Sequence, residues 1–267
     1  MKKFLIRTLK ILAIIYVGIC VFLYFYQENL IFFPEKLNKD HKFEFDRKFE
    51  ELNIKTDNNI LLNGLLFRAD SSKGLIFYLH GNSGSLKTWG GISKNYNDRL
   101  YDIFMLDYRG YGKSDGEINN GEEEIFKDIQ IVYDTLKKRY NEDKIIILGY
   151  SIGTGPATKL ASTNKPKHLI LQAPYFSLTD MMEHEYPGVP TFILNYKFQT
   201  NKYISDCISP VTIFHGDKDE VIYYNSSVQL KTLCKPTDKF ITLPGRGHGG
   251  INDDPVYLNE LSKILKE

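Results

Sequence analysis

The sequence predicts an α/β protein in which helices cover both faces of a mostly parallel, twisted sheet, preceded by an N-terminal transmembrane helix. Three observations predict this architecture. Short apolar runs of about five residues alternate with longer amphipathic stretches, as strands and helices do in a parallel sheet. The 267 residues suffice for one substantial core. A long uncharged run lies close to the N-terminus, directly after a group of basic residues.

The composition narrows the choice of partners and cofactors. The charges nearly cancel, with 34 lysines and arginines against 33 aspartates and glutamates, so no overall field favours nucleic acid. The three cysteines, Cys20, Cys207 and Cys234, form no C-x-x-C pair, and the histidines are not clustered. We expect neither a structural zinc site nor a disulfide framework, although spacing alone leaves the pairing of Cys207 with Cys234 open.

Residues 1–28 have the pattern of a membrane anchor with a basic cytoplasmic flank. Residues 11–26 form an uninterrupted run of 16 uncharged, mostly apolar residues. Leu9 and a snorkelling Lys10 extend this run close to the ~20 residues that a bilayer core requires. The basic residues favour a cytoplasmic N-terminus and place residues 30–267 on the extracytoplasmic side. They are Lys2, Lys3, Arg7 and Lys10.

Two other interpretations of this segment stay open: a cleaved secretory signal peptide and a buried helix of a soluble protein. Against cleavage, no Ala-x-Ala-like site follows the run, and the residues there are the bulky Tyr24, Phe25 and Tyr26. A lipoprotein signal is disfavoured because Ile19, which precedes Cys20, is not small. We therefore expect an uncleaved anchor.

After a connector at residues 29–48, residues 49–267 are predicted to form one domain. The domain starts with two alternating runs, 49–56 and 60–68, separated by the polar residues 57–59, which predicts a β-hairpin. Residues 175–206 form an irregular, aromatic-rich stretch, either a lid or acyl pocket or a helical insertion with its own core. Further strands are predicted at 75–79, 103–107, 144–148, 168–172, 211–214 and 239–243, and helices at 122–140, after Gly153, at 228–233 and at 255–266.

Glycine-rich turns follow two of the predicted strands. Residues 80–84 follow the strand at 75–79, and residues 108–114 follow the strand at 103–107. Glycines allow backbone N–H groups to face a cavity instead of pairing in the sheet, and ligand sites gather beyond the carboxyl ends of such strands. Neither turn has a Walker or dinucleotide-binding pattern in a suitable context, which argues against nucleotide binding.

The pentapeptide Gly149-Tyr150-Ser151-Ile152-Gly153 directly follows a short apolar strand. A serine hydroxyl is a weak nucleophile unless the fold presents it and a base takes its proton. A tight strand-to-helix turn presents the serine and demands small residues two positions before and after it, which Gly149 and Gly153 provide. On its own, the pentapeptide is equally typical of a Gly/Ser loop after a buried strand.

Four more blocks accompany this pentapeptide in order along the chain. The five blocks are His80-Gly-Asn-Ser-Gly84, Asp107-Tyr-Arg-Gly-Tyr-Gly-Lys-Ser114, Gly149-Tyr-Ser-Ile-Gly153, His215-Gly-Asp-Lys-Asp-Glu-Val221 and Gly245-Arg-Gly-His-Gly249. With them, residues 49–267 resemble serine hydrolases of the α/β-hydrolase fold, most closely the Bem46-like, ABHD13/ABHD17-type branch of membrane-anchored hydrolases. An apolar N-terminal anchor is common in that branch.

The resemblance implies a catalytic triad and an oxyanion hole. Ser151 is the expected nucleophile, His248 the general base and Asp219 the acid that orients the imidazole. The backbone N–H groups of Asn82 and Ile152 are the expected donors to the oxyanion.

The acid has one rival in the same block. In the family it falls three residues after the glycine that ends the strand and two before an aliphatic residue, here Gly216 and Val221, which selects Asp219. Asp217 stays as the alternative and is expected to cap the turn. The remaining candidates are expected to make structural contacts or to lie at the surface or in a lid: His80, His215, Asp107 and Arg109 in the first group, His168 and His184 in the second.

The resemblance implies a membrane-anchored serine hydrolase that cleaves an ester or thioester through an acyl-enzyme on Ser151, with no metal or organic cofactor. The substrate is expected to carry an acyl chain, on a lipid, a protein or a small ester. One alternative is a serine peptidase or amidase that uses the same triad. The other is a non-catalytic, membrane-tethered binding protein, which the presence of all three triad residues disfavours.

Overall fold

The computed structural model describes residues 1–57 and 59–266 of the chain. Asn58, in the predicted hairpin turn, lies outside the described residues. The strands are β1 Phe33–Pro34, β2 Phe49–Lys55, β3 Leu61–Phe67, β4 Leu75–Leu79, β5 Ser83–Gly84, β6 Asp102–Leu106, β7 Ile145–Tyr150, β8 His168–Gln172, β9 Val211–Gly216 and β10 Lys239–Leu243. The α-helices are α1 Lys2–Ile31, α2 Leu86–Trp89, α3 Ser93–Asn97, α4 Glu122–Lys137, α5 Thr154–Thr163, α6 Leu178–Glu185, α7 Thr200–Tyr203, α8 Tyr224–Lys231 and α9 Pro255–Ile264.

Eight of the described strands form one sheet in the order β10-β9-β8-β7-β4-β6-β3-β2. The predicted hairpin is confirmed, since β2 pairs antiparallel with β3 and Phe49 lies opposite Phe67. β3 is also antiparallel to β6, whereas the other neighbours in this sheet are parallel. The two-residue strands β1 and β5 pair separately, which joins the connector after α1 to the first glycine-rich turn.

Helices cover both faces of the sheet, as the apolar pattern predicts. Side chains of the central strand β4 alternate between the two faces. Phe77 and its neighbours on one face pack with α4 and α5, and Tyr78 on the other face packs with α3 and α9. Together these contacts confirm the predicted α/β class, and they bury the sheet on both sides.

The structure differs from the sequence prediction in several details. The helices α2 and α3 were not predicted. Residues 175–206 include α6 and α7, which agrees with the alternative of a helical insertion. Helix α8 starts at Tyr224, whereas the sequence predicted a start at 228. The prediction missed the first turn because its buried residues are Ser226 and Ser227, which do not contribute to an apolar periodicity. His168, predicted at the surface or in a lid, is buried in β8 with its Nε2 atom 2.9 Å from Thr212 Oγ1, so that prediction is wrong.

Helix α1 is long and apolar enough to cross a membrane. Its 30 residues span about 45 Å, against the ~30 Å of a bilayer's hydrocarbon core. None of its most apolar 18-residue stretch is buried against the rest of the protein. A signal sequence near an N-terminus has the same length and composition, so α1 is a candidate span by these criteria.

The burial of His168 generates a prediction about acid stability. Burial lowers the pKa of His168 from 6.5 to about 4. Between these values the unfolded chain takes up a proton that the folded protein refuses, so stability present above pH 6.5 is lost as the pH falls to about 4. The free energy of unfolding falls by about 3 kcal/mol over this range. The variant His168→Gln should remove this pH dependence, because glutamine does not titrate, and it should keep a hydrogen bond to Thr212.

Thermal melts of the full chain in detergent, at pH 7 and pH 4, measure this difference. His184→Gln is the matched control, because His184 is exposed on α6. We expect His168→Gln to melt with a weaker pH dependence than both wild type and the control. An unchanged pH dependence contradicts the assignment.

Candidate active site

Ser151 lies at a tight turn between β7 and α5. The strand ends at Tyr150, and Ser151–Gly153 form a short 3₁₀ turn that leads directly into the helix. Ser151 has φ 53°, a left-handed conformation that costs a residue other than glycine about 1–3 kcal/mol. The turn holds the serine beyond the carboxyl end of the sheet, as expected for a nucleophile that must be presented to a substrate.

The two glycines around Ser151 are required by the packing. A Cβ atom on Gly149 would lie 2.6 Å from the carbonyl oxygen of Gly153. One on Gly153 would lie 2.2 Å from the carbonyl oxygen of Leu79, at the end of β4. Both distances are far inside van der Waals contact, so the expectation of small residues at these positions is met for a specific steric reason.

The structure brings Ser151, His248 and Asp219 into one hydrogen-bonded chain. His248 Nε2 lies 3.0 Å from Ser151 Oγ, and His248 Nδ1 lies 2.8 Å from Asp219 Oδ2. An ionised carboxylate only accepts hydrogen bonds, so Nδ1 carries the ring proton and Nε2 is left to accept the hydroxyl proton of the serine. This is the tautomer that a general base needs.

Asp219 is held by four donors. The backbone N–H groups of Val221 and Ile222 donate to its Oδ1 at 2.9 and 2.8 Å. His215 Nε2 lies 3.2 Å from Oδ2, the oxygen that also faces His248. Burial by itself raises the pKa of Asp219, but the hydrogen bonds from His215 and His248 outweigh it and hold the pKa well below its ordinary value.

The neighbouring residues of these blocks have structural contacts. Asp217, the rival acid, accepts a hydrogen bond from Gly245 N at 2.6 Å and so fixes the turn after β10. Tyr150 donates to the carbonyl oxygen of His248 at 3.0 Å and so helps to hold His248 in place. His215 Nε2 also faces the carbonyl oxygen of Ile222 at 3.0 Å, and two acceptors at one nitrogen require that Nε2 carry the proton.

The two glycine-rich turns, residues 80–84 and 108–114, are held by contacts that do not involve Asp219 or His248. Arg109 pairs with Asp128 and, at 2.7 Å, with Glu124 on α4. Asp107 accepts a hydrogen bond from Leu86 N at 3.0 Å and lies 3.5 Å from His80 Nε2. Burial raises the pKa of Asp107. These are the structural contacts expected for Asp107, Arg109 and His80.

Asn82 and Ile152, the expected oxyanion donors, both line the cavity that contains Ser151. The carbonyl oxygen of Asn82 accepts from Phe33 N at 2.8 Å and from the Tyr111 hydroxyl at 2.7 Å. Its side chain donates to the carbonyl oxygen of Ile31, at the end of α1. Tyr175 donates to the carbonyl oxygen of Ile152 at 2.9 Å. These bonds hold the carbonyl groups of Asn82 and Ile152, on the side of each residue away from its own N–H group.

The cavity above Ser151 has a volume of about 640 Å³, within the range of about 300–1,000 Å³ for ligand sites. Its walls are mostly aliphatic and methionine side chains. One wall is the end of α1, and another is the lid segment, residues 178–194. The aliphatic lining residues include Leu23, Leu30, Ile31, Leu178, Met181, Met182, Val189, Ile193 and Leu194.

Sequence reasoning missed the contribution of α1 to this cavity. Four of its residues, Leu23, Gln27, Leu30 and Ile31, line the space over the serine. The available signal was Gln27, a polar residue directly after the apolar run. Its side chain donates to the carbonyl oxygen of Tyr24 within the helix, but its other two partners, Ile193 and Asn195, are far away in the chain and cannot be found from its position in the sequence.

Cysteine thiols and metal-binding side chains are the other groups that could take part in a reaction. Cys207 and Cys234 are free thiols, and burial raises the pKa of Cys207 to about 12 and that of Cys234 to about 11. Neither is ionised near neutral pH. Among residues 1–57 and 59–266, no group of three or more histidine, cysteine, aspartate or glutamate side chains is arranged to hold a metal ion.

Known protein families and individual relatives are similar to this chain. The family model described as "Serine aminopeptidase, S33" matches residues 70–208. The human "Alpha/beta hydrolase domain-containing protein 17B" is 30% identical over 200 residues, 74% of this chain and 68% of that protein. The Caenorhabditis elegans "Alpha/beta hydrolase domain-containing protein aho-3" is 28% identical over 193 residues, 71% of this chain and 57% of that protein.

Solved structures share the fold. An esterase of Pyrococcus furiosus superimposes with a TM-score of 0.71 at 17% identity, over 88% of this chain and 97% of that one. The esterase domain of a Rhodothermus marinus protein superimposes with a TM-score of 0.61 at 13% identity, over 82% of this chain and 96% of that one. At these identities the likeness establishes the α/β-hydrolase fold.

The hydrogen bonds of Asp219 and Asp217 predict a large loss of activity when the first is neutralised and little loss when the second is. Asp219→Asn presents an amide to His248 Nδ1 and so favours the wrong tautomer, and we expect kcat for p-nitrophenyl butyrate to fall by about 10⁴-fold. Asp217→Asn is the control, because Asn can still accept from Gly245 N and Asp217 lies at the surface. Steady-state kinetics of both variants decide between them. A larger loss in Asp217→Asn overturns the assignment of the acid.

Proposed function

The chain belongs to the serine aminopeptidase S33 family as an ABHD17-type α/β hydrolase of esterase type, and from this membership we propose that it is a membrane-anchored enzyme that cleaves acyl esters or thioesters through an acyl-enzyme on Ser151. One observation carries the proposal: the hydrogen-bonded chain from Asp219 through His248 to Ser151, at the floor of an apolar cavity.

In the acylation step, Ser151 Oγ attacks the carbonyl carbon of the substrate while His248 Nε2 takes the hydroxyl proton. The buried charge of Asp219 stabilises the imidazolium that forms. The tetrahedral intermediate then collapses, and His248 returns the proton to the leaving alcohol or thiol. The product of this step is an acyl ester on Ser151.

The negative charge of the intermediate is bound by the backbone N–H groups of Asn82 and Ile152. Each such donor is worth about 3 kcal/mol of transition-state stabilisation. The position of both residues in the lining of the cavity that contains Ser151 supports this assignment, because donors already in place cost no reorganisation during the reaction.

In the deacylation step, water replaces the alcohol or thiol. His248 takes a proton from the water, and the hydroxide oxygen bonds to the acyl carbon. When this second tetrahedral intermediate collapses, the proton returns from His248 to Ser151 Oγ and the carboxylic acid leaves. The cycle consumes one water and restores the enzyme.

An acyl substrate is favoured over a peptide by the lining of the cavity. An aminopeptidase must bind a substrate's positively charged α-amino group, for which an acidic side chain is the natural partner. Among the described residues that line the cavity, Glu185 is the only acidic one, and it lies 2.9 Å from the Nδ1 atom of its neighbour His184 at the surface. Peptidase or amidase activity is therefore the second candidate, and the name of the serine aminopeptidase family favours the peptidase.

For the domain organisation we propose that residues 1–28 are a basic flank and membrane anchor, that residues 29–48 are a connector, and that residues 49–267 form the hydrolase domain. The length and apolar surface of α1 support the anchor. The four basic residues before the apolar run favour a cytoplasmic N-terminus, with the catalytic domain on the extracytoplasmic side.

The proposed nucleophile predicts a specific reaction with fluorophosphonates. We expect the full chain in detergent to be labelled at Ser151, because an activated serine attacks phosphorus as it attacks a carbonyl carbon. Ser151→Ala should lose both labelling and ester turnover, whereas Ser71→Ala, at an exposed serine in the turn before β4, should keep both. Mass spectrometry of the labelled peptide gives the site. A folded wild-type chain that stays unlabelled rules out the proposed function.

The proposed orientation predicts which side of the membrane each end reaches. Ser71→Cys places a thiol on the exposed surface of the hydrolase domain, and Lys3→Cys places one in the basic flank. A membrane-impermeant maleimide should label the first variant in intact cells and the second only after permeabilisation. The wild-type chain, with its own cysteines, corrects for background. The reverse pattern would show that the orientation is wrong.

A further inference from the structure

The end of the proposed anchor is part of the substrate cavity. Leu23, Leu30 and Ile31 of α1 face the lid segment across the space above Ser151. At the base of the same wall, the carbonyl oxygen of Ile31 accepts a hydrogen bond from the side chain of Asn82 at 3.0 Å. The helix that would lie in the membrane therefore reaches the proposed oxyanion site directly.

A buried polar side chain joins α1 to the opposite wall. Gln27 is only 5% exposed. Its Nε2 atom donates to the carbonyl oxygen of Ile193 at 3.2 Å, and its Oε1 atom accepts from Asn195 N at 2.7 Å. Because both ends of the buried amide are satisfied, the contact is specific and fixes α1 against the end of the lid segment.

A second contact shows how far the lid segment extends along the helix. The Tyr16 hydroxyl donates to the carbonyl oxygen of Gly188 at 2.9 Å. Tyr16 and Gln27 are separated by about 16 Å along a helix axis. The lid segment therefore runs back beside the apolar part of α1, to a level about 15 Å from the end of the apolar run at Tyr26.

The lid segment also carries exposed aromatic side chains. Phe192 is 82% exposed and Tyr186 is 65% exposed, both on the stretch that runs beside α1. Exposed aromatic residues next to an apolar helix are typical of a surface that contacts a membrane. The cavity between α1 and the lid segment then borders the acyl chains of the membrane.

We propose that the acyl chain of the substrate enters the cavity sideways from the membrane, between α1 and the lid segment, and that α1 forms part of the acyl-binding wall. This inference rests on the proposed function and adds the route of the substrate: a long-chain acyl ester or thioester reaches Ser151 from within the bilayer. The chain moves from one apolar environment to another, so its methylene groups are not exposed to water on the way to Ser151.

Sideways entry predicts that enzyme and substrate must share a membrane. The full chain is reconstituted in phosphatidylcholine vesicles, and p-nitrophenyl palmitate is placed either in the same vesicles or in separate, protein-free vesicles. We expect turnover to be at least about tenfold faster in the shared vesicles, because transfer through water is slow for a long apolar chain. Equal initial rates in the two arrangements overturn the proposal.

The wall formed by α1 is tested with a matched pair of variants. Leu23→Trp fills the cavity, and we expect the ratio of palmitate to butyrate turnover to fall by about tenfold or more. Val21→Trp adds the same side chain about 200° around the helix, at an exposed residue outside the cavity lining, and should leave the ratio at its wild-type value. A ratio that is unchanged in Leu23→Trp, or equally lowered in both variants, overturns the proposal.

Fluorophosphonate labelling of Ser151 shows that each variant is folded, and it separates the two levels of the proposal. Absence of labelling and of butyrate turnover in the wild type refutes the proposed function. Normal labelling with an unchanged palmitate ratio refutes only the role of α1. Shared vesicles that contain either a palmitoyl phospholipid or an S-palmitoyl peptide then identify the source of the chain, and turnover of neither counts against a membrane-resident substrate.

Discussion

The close contact between the turn at Ser151 and the end of β4 is the constraint on which the rest of the site depends. A side chain at Gly153 would place its Cβ atom 2.2 Å from the carbonyl oxygen of Leu79. With glycine there, α5 begins directly against the strand, and Ser151 is held in its left-handed conformation. Because β4 continues into the turn that contains Asn82, the same contact places the serine and a proposed oxyanion donor beside one cavity. The strain at Ser151 is thus offset by packing on both sides of the turn.

The ionised state of Asp219 depends on the turn after β9, in which this residue lies. An unpaired carboxylate in the position of Asp219 would be costly to bury. Two backbone N–H groups of the turn after β9, together with His215 and His248, satisfy it as an ion. Its ionised state keeps the proton on Nδ1 of His248, so Nε2 faces Ser151 as an acceptor. The hydrogen bonds around the aspartate therefore set the direction of the proposed proton transfer from Ser151 to His248.

The end of helix α1 connects the proposed membrane anchor to the cavity that contains Ser151. Gln27 is a polar residue at the end of an apolar helix, and its burial is tolerated because the lid segment and Asn195 satisfy both ends of its amide. The strand pair β1–β5 and the bond from Asn82 to Ile31 attach the end of the helix to the first glycine-rich turn. A boundary between anchor and domain drawn from hydropathy alone at residues 29–48 separates residues that form one wall of the cavity.

The sequence alone determined the elements and motifs that depend on local residue types. Apolar periodicity identified most strands of the sheet and α4, and the order of five short blocks identified Ser151, Asp219 and His248, which the structure brings together. Only the tertiary structure decided the burial of His168, the helices α2 and α3, the course of the lid segment and the role of Gln27. Each of these depends on contacts between residues far apart in the chain, such as the hydrogen bond from Tyr16 to Gly188. A local sequence pattern does not show which distant residue will be the partner.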